Sequence, residues 1–281
     1  MEKKIHIAVL SFILWTGTIL AQQTKMNRSI LKENFCIGET VTFYSKLLSE
    51  NRAINVYLPL GYEEHIHKKY PVIYLLDGSA DEDFIHIAGL VQFGSFTWIQ
   101  MIPETIVVGI VNVNRKRDFT YPSNSVRDQL EFPMSGESKK FIGFLENELQ
   151  PFIDSNYKVT DEKTLIGQSL GGLLATEILF KKPYLFSNYI IVSPSLWWDD
   201  ESLLGVTPKP MDRIKSIYIA VGKEGANMER VAYQLKNKLT KLKTEHTNLY
   251  FNFLQGNNHS DALHLAVYDA FKKMFAVEKE K

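Results

Sequence analysis

The pentapeptide Gly167-Gln168-Ser169-Leu170-Gly171 sets a hydroxyl between glycines, directly after the apolar run Thr164-Leu165-Ile166 and before a helix-like stretch from Leu170 to Lys181. A serine at such a strand-to-helix junction can serve as a nucleophile. The chain turns so sharply that the serine takes strained backbone geometry, and glycine two positions to either side leaves room for the turn. The hydroxyl then stands clear of the strand, while the helix N-terminus and the Leu170 amide face any oxyanion that forms. Taken alone, the pentapeptide fits a glycine-rich turn with a serine N-cap equally well. The other groups that the chemistry needs decide between the two.

A serine hydroxyl is almost wholly protonated at neutral pH, so it needs a base, and the base needs a third group to hold it in one tautomer. Seven histidines are available. His6 falls in the N-terminal leader described below, and His65 and His67 sit in a polar loop beside Lys68 and Lys69. His86 and His264 lie in helix-like segments, and His246 lies in a polar stretch before a strand. His259 alone follows a strand directly, in the loop Gly256-Asn257-Asn258-His259-Ser260-Asp261, with Asp261 placed to open the last helix as its N-cap. Parallel sheets present catalytic groups at the carboxyl ends of their strands, a condition that Ser169 and His259 both meet. His259 is therefore the expected general base.

Between serine and histidine in the chain stand the candidates for the acid. Glu224, in Gly222-Lys223-Glu224-Gly225, lies just past the strand Ser216 to Val221, and its flanking glycines let the loop bend back. Asp199 or Asp200, in Ser193-Pro194-Ser195-Leu196-Trp197-Trp198-Asp199-Asp200, could reach the same histidine from a longer loop. Strand-end placement favours Glu224. Trp197 and Trp198 in that loop would form an aromatic wall for an acyl or aryl group, or pack the loop itself.

The elements that must position these groups alternate between strand-like and helix-like runs, as expected for a mostly parallel sheet with helices on both faces. Eight strands are predicted. Glu39 to Leu48 and Ala53 to Pro59 flank Glu50-Asn51-Arg52 as an antiparallel hairpin, and Pro71 to Asp77, Thr105 to Asn112, Thr164 to Gln168, Tyr189 to Ser193, Lys215 to Gly222 and Asn248 to Gln255 follow. Continuous apolar runs such as Val72-Ile73-Tyr74-Leu75-Leu76 suit strands buried on both faces. Phe141, Leu145, Leu149 and Phe152 recur at helical spacing and form one core-facing stripe.

The first 21 residues differ from the rest: Lys3 and Lys4 precede a mostly apolar stretch from Ile5 to Leu20, then Ala21 and a polar segment. That order predicts a secretory signal peptide over residues 1–21, with an uncleaved N-terminal anchor as the alternative, and a single domain over 22–281. No other stretch is apolar enough to span a bilayer. With 281 residues, 45% of them hydrophobic, one large core is within reach. The 32 basic and 32 acidic residues balance and form no long like-charge block, which argues against a nucleic-acid partner. The single cysteine, Cys36, excludes an intrachain disulfide and is read as a small buried hydrophobe; no Cys/His cluster has structural zinc spacing, so neither metal nor organic cofactor is expected.

Read with their neighbours, these residues resemble an esterase family of α/β-hydrolases that includes siderophore esterases of the enterochelin-esterase and IroE type and, more distantly, S-formylglutathione hydrolase and the mycolyltransferases. The resemblance runs from about Phe43 to Phe275 and rests on Asn55-Val56-Tyr57-Leu58-Pro59, Tyr74-Leu75-Leu76-Asp77-Gly78, Asn114-Arg115-Lys116-Arg117-Asp118-Phe119-Thr120, Ile166-Gly167-Gln168-Ser169-Leu170-Gly171-Gly172 and Ser193-Pro194-Ser195-Leu196-Trp197-Trp198. The family commonly has histidine where this chain has Gln168. The resemblance implies an α/β-hydrolase fold and a second oxyanion donor at the backbone amide of Gly78 or Ser79, beside that of Leu170. It also implies that Arg117, in the family's R-D-x-T element, contacts a carbonyl-rich or anionic substrate or pairs with Asp118 to fix its loop. Some relatives of this type work with a Ser-His dyad, which leaves the contribution of Glu224 open. The expected activity is hydrolysis of a small-molecule carboxylic ester through an acyl-enzyme on Ser169. A siderophore lactone substrate, acyl transfer to an alcohol, and a noncatalytic binding protein of the same fold are the alternatives.

Overall fold

Runs rich in β-branched and aromatic residues form the eight strands of one sheet: β1 (Glu39–Ser45), β2 (Glu50–Tyr57), β3 (Tyr70–Leu75), β4 (Ile106–Ile110), β5 (Val159–Gln168), β6 (Asn188–Val192), β7 (Ser216–Gly222) and β8 (Asn248–Leu254). A computed structural model describes residues 31–276; the predicted signal peptide, residues 1–21, lies outside the described residues. Across the sheet the order is β1-β2-β4-β3-β5-β6-β7-β8. β1 pairs antiparallel with β2, and β2 antiparallel with β4. All later neighbours are parallel, so the sheet is mixed, with a parallel body and an antiparallel hairpin at one edge.

Nine α-helices accompany it among the described residues: α1 (Phe84–Gly94), α2 (Arg115–Phe119), α3 (Val126–Glu131), α4 (Ser138–Phe144), α5 (Gln150–Asn156), α6 (Leu170–Lys181), α7 (Ser202–Gly205), α8 (Ala226–Leu242) and α9 (Ala262–Met274). One turn of π-helix, Leu145–Leu149, joins α4 to α5 just ahead of Pro151. The pleat sends alternate residues to two cores. In β7, Ile217 and Ile219 join Phe141, Leu173, Val231 and Leu235 on one face, where α4, α5, α6 and α8 pack. Tyr218 and Ala220 join Ile87, Val91, Ala266 and Phe271 on the other face, under α1 and α9.

Two expectations are corrected. The hairpin turn is Lys46–Ser49 rather than Glu50–Arg52, because Ser49 takes the left-handed conformation (φ 56°) and the Ser45 hydroxyl accepts from the Leu48 amide at 3.0 Å. Cys36 is exposed, in a stretch without regular structure ahead of β1.

The segment after β4 is held by a buried charge network. Arg52, with no exposed side-chain surface, donates to Glu50 at 2.9 Å and Asp118 at 2.8 Å. Its guanidinium lies over the rings of Phe141 and Phe144. A buried arginine is tolerable only when its charge is paired in this way. The network fixes α2 and with it the residues that α2 presents.

Candidate active site

Ser169 sits between β5 and α6 at φ 59° and ψ −119°, a strained conformation for a residue with a side chain. Its amide donates to Val192 O at 3.1 Å and its carbonyl accepts from the Ser195 amide at 3.0 Å, so the end of β6 holds the turn. A Cβ at Gly167 would come within 2.4 Å of Gly171 O, which makes glycine obligatory there. The second tight position is Gly172, where a Cβ would stand 2.9 Å from Pro194 Cα. At Gly171 the nearest atoms would be 3.4 Å away, an ordinary contact, so the glycine pair that the turn demands is Gly167 and Gly172 rather than Gly167 and Gly171.

His259 lies in the loop after β8 and Glu224 in the loop after β7, and their side chains meet: His259 Nδ1 is 2.6 Å from Glu224 Oε2. The two loops are also joined through the backbone, Lys223 N donating to Asn257 O at 2.6 Å, and a Cβ on Gly222 would strike that oxygen at 2.7 Å. Gly222 is thus required for the approach. The other Glu224 oxygen accepts from the Gly222 amide at 2.8 Å and from the Ser193 hydroxyl. Burial pushes the Glu224 carboxyl up, but the hydrogen bonds from His259, Ser193 and the Gly222 amide outweigh it and hold the group below its ordinary value. Glu224 remains a carboxylate that can orient His259. Asp261 does stand at the N-cap position of α9, although its carboxylate accepts from the Asn258 amide of the loop and not from the helix.

A cavity of about 390 Å³ brings Ser169 and His259 together with Asp77, Glu82, Asp83, Arg115, Gln168 and Ser260. The Ser169 hydroxyl is 3.3 Å from that of Ser195, and among the described residues no hydrogen bond joins it to His259. Unliganded sites commonly show such loose pairs. The Gln168 side chain donates to His259 O at 2.5 Å and so braces the histidine loop. Asp77, at φ 56°, accepts from Arg115 Nε at 2.6 Å and Nη2 at 2.9 Å, and Arg115 Nη2 also reaches Gln168 O at 3.2 Å. Arg115 thereby ties the end of β3 to the residue before Ser169. Burial and the neighbouring carboxylates Asp77 and Glu82 push the Asp83 carboxyl up to about 6.

Of the expected oxyanion donors, the Leu170 amide opens α6 and has no acceptor within the helix. The Gly78 amide is spent: it donates to Ile110 O at 3.0 Å, because Gly78 packs directly on Gly109. The Ser79 amide donates to Glu82 Oε2 at 3.3 Å, a long bond to a side chain and not to the backbone.

Other expected groups lie elsewhere. Arg117 does not line this cavity; it forks onto Glu50 at 2.9 and 2.6 Å and bonds Asp118 at 2.7 Å, the loop-fixing arrangement. Trp198 is fully buried and donates to Tyr121 O at 2.9 Å, so it packs its loop and cannot form a wall. Trp197 lines a separate cavity with Ser125, Arg127 and Asp200. Asp199 accepts from the Asn124 amide at 2.6 Å and the Ser202 hydroxyl at 2.6 Å, a buried lock for the segment and not a partner of His259. Sequence reasoning missed Ser193, Ser195 and Arg115. The Ser-Pro-Ser directly after a strand, facing the elbow, was the available signal for the two serines.

Known proteins share this arrangement of chain. The ferri-bacillibactin esterase BesA of Bacillus subtilis is 28% identical over 246 residues, covering 80% of this chain and 85% of that protein. The siderophore triacetylfusarinine C esterase of Aspergillus fumigatus is 29% identical over 162 residues, 54% of this chain and 53% of that protein. An IroE-like serine hydrolase from Shewanella oneidensis superposes with a TM-score of 0.74 at 30% identity, covering 85% of this chain and 80% of that one. The BES protein of Bacillus cereus gives a TM-score of 0.74 at 26% identity, covering 89% and 100%. With the α/β-hydrolase fold in place and the family described as Putative esterase matched over residues 45–280, the chain belongs to that family.

Proposed function

We propose that the protein is a serine ester hydrolase working through an acyl-enzyme on Ser169. The observation that carries this reading is the Glu224-His259 pair opening onto the same cavity as a strained serine. Ser169 Oγ attacks the ester carbonyl carbon while its proton passes to His259 Nε2; the carbon-oxygen bond to the alcohol breaks and the alcohol leaves with that proton. Water then gives a proton to His259 and attacks the acyl carbon; the carbon-Oγ bond breaks, Oγ takes that proton back from His259, and the acid leaves. The Leu170 amide, with that of Ser79 once Glu82 moves aside, receives the charge that develops on the carbonyl oxygen; a donor of this kind is worth about 3 kcal/mol.

The substrate class we favour is an ester or lactone of the siderophore type. Support comes from the names of the relatives, above all the ferri-bacillibactin esterase aligned along 80% of the chain. Export to the cell envelope or beyond rests on residues 1–21 alone. Among the described residues, no helix is long and apolar enough to cross a membrane.

The test is hydrolysis of a short-chain p-nitrophenyl ester by the mature chain, with Ser169→Ala and His259→Ala alongside and a fluorophosphonate label located by mass spectrometry. Activity lost in both variants, with the label on Ser169, is the expected outcome. An inert protein that refuses the label would mean a noncatalytic member of the fold. Products carrying the acyl group on an added alcohol in preference to water would mean a transferase.

A further inference from the structure

Asp83 stands at the N-cap position of α1, and His86 one turn further along the same helix. His264 comes from the first turn of α9. α1 and α9 cover the same face of the sheet, and where they pack, one ligand-capable atom from each of the three residues falls within 4.8 Å of the other two. The imidazoles of His86 and His264 meet edge to face with centroids 4.2 Å apart. His264 Nδ1 is buried and, among the described residues, has no hydrogen-bond partner. A buried, unpartnered ring nitrogen carries a desolvation cost that some ligand normally offsets.

We propose that Asp83, His86 and His264 form a binding site for a divalent transition metal ion of the zinc type, held by one carboxylate oxygen and two imidazole nitrogens. Two nitrogens and an oxygen suit zinc, cobalt or nickel better than calcium or magnesium, which prefer all-oxygen shells. Bonds of about 2.1 Å in tetrahedral geometry set ligands roughly 3.4 Å apart. The remaining closure falls to His86, whose side chain is exposed.

One further feature agrees. The adjoining cavity is lined by three carboxylates, Asp77, Glu82 and Asp83, against one guanidinium, Arg115. A divalent ion on Asp83 would offset that excess of negative charge beside Ser169. The proposal is independent of the acyl-enzyme reading, and its test needs no ester.

The experiment is titration of chelator-treated protein with Co²⁺, followed by visible absorption, and with Zn²⁺, followed by calorimetry. We expect one equivalent to bind, with a visible band of imidazole-ligated cobalt that Zn²⁺ abolishes. His86→Ala and His264→Ala should each weaken binding by about tenfold or more, while the His65→Ala/His67→Ala double variant binds as the parent does. His86 is exposed, so its variant reads out even if His264→Ala fails to fold. Absence of saturable binding in the parent overturns the proposal. So does binding that survives His86→Ala unchanged or is lost with His65 and His67.

Discussion

Glu224 Oε2 lies 2.6 Å from His259 Nδ1, and the second oxygen of the same carboxylate is held by the Gly222 amide at 2.8 Å and by the Ser193 hydroxyl. A carboxylate fixed from behind by two donors can hold the imidazole with its proton on Nδ1 and its lone pair on Nε2. Replacing it with an amide of the same shape removes that control of tautomer. Glu224→Gln is expected to lower kcat by about 10²- to 10⁴-fold with little change in KM. Steady-state kinetics on a p-nitrophenyl ester decide the matter: a kcat within threefold of the parent would show that serine and histidine act as a dyad.

The same contacts make stability depend on pH. Because the folded protein holds the Glu224 carboxyl below its ordinary value of 4.5, the unfolded chain binds its proton first as pH falls. The contribution to stability is complete above that ordinary value and is lost as pH drops through the lower folded one. Melting temperatures of parent and Glu224→Gln, measured from pH 7 down to pH 3, are expected to converge toward the acid end. Curves that stay parallel throughout would contradict the assigned shift.

Arg115 and Arg117 sit two residues apart and do different work. Arg115 forks onto Asp77 and reaches Gln168 O beside Ser169, whereas Arg117 forks onto Glu50 and bonds Asp118. Lysine keeps the charge at either position but loses the fork. Arg115→Lys is expected to reduce kcat about tenfold or more through misplacement of the elbow. Arg117→Lys should keep kcat and lose about 1–3 kcal/mol of stability in urea unfolding. The opposite pattern would return Arg117 to the substrate.

These two arginines also show where sequence reading ends. Strand ends were legible because β-branched and aromatic runs stop at turn-forming residues, and that placed Ser169, Glu224 and His259 just past the carboxyl ends of β5, β7 and β8. In the five-residue helix Arg115–Phe119 there is too little periodicity to tell which arginine faces the cavity, since residues two apart point to nearly opposite sides. The family resemblance implies Gly78 or Ser79 as an oxyanion donor, but only the register with β4 reveals that the Gly78 amide is already bonded to Ile110 O. His86 and His264 read as separate helix residues until the packing of α1 against α9 sets them together. Cys36 failed for a simpler reason: composition says what is apolar, not whether a core lies beside it.

Ser195 presents the last prediction. Its hydroxyl, nearly buried, stands 3.3 Å from Ser169 Oγ, while no hydrogen bond among the described residues joins Ser169 to His259. On the proposed mechanism Ser195 competes with His259 for the Ser169 hydroxyl, and a contact of that length between neutral hydroxyls is worth about 1 kcal/mol at most. Removing it leaves the elbow intact, because Ser195 supports Ser169 through its backbone amide, which alanine retains. Ser195→Ala is therefore expected to keep kcat within about threefold of the parent or raise it. The rate of fluorophosphonate labelling should follow the same course, since it reports nucleophilicity of Ser169 without the deacylation step. A loss of a hundredfold in both would give Ser195 a direct part in the chemistry, as a donor to the reacting oxygen.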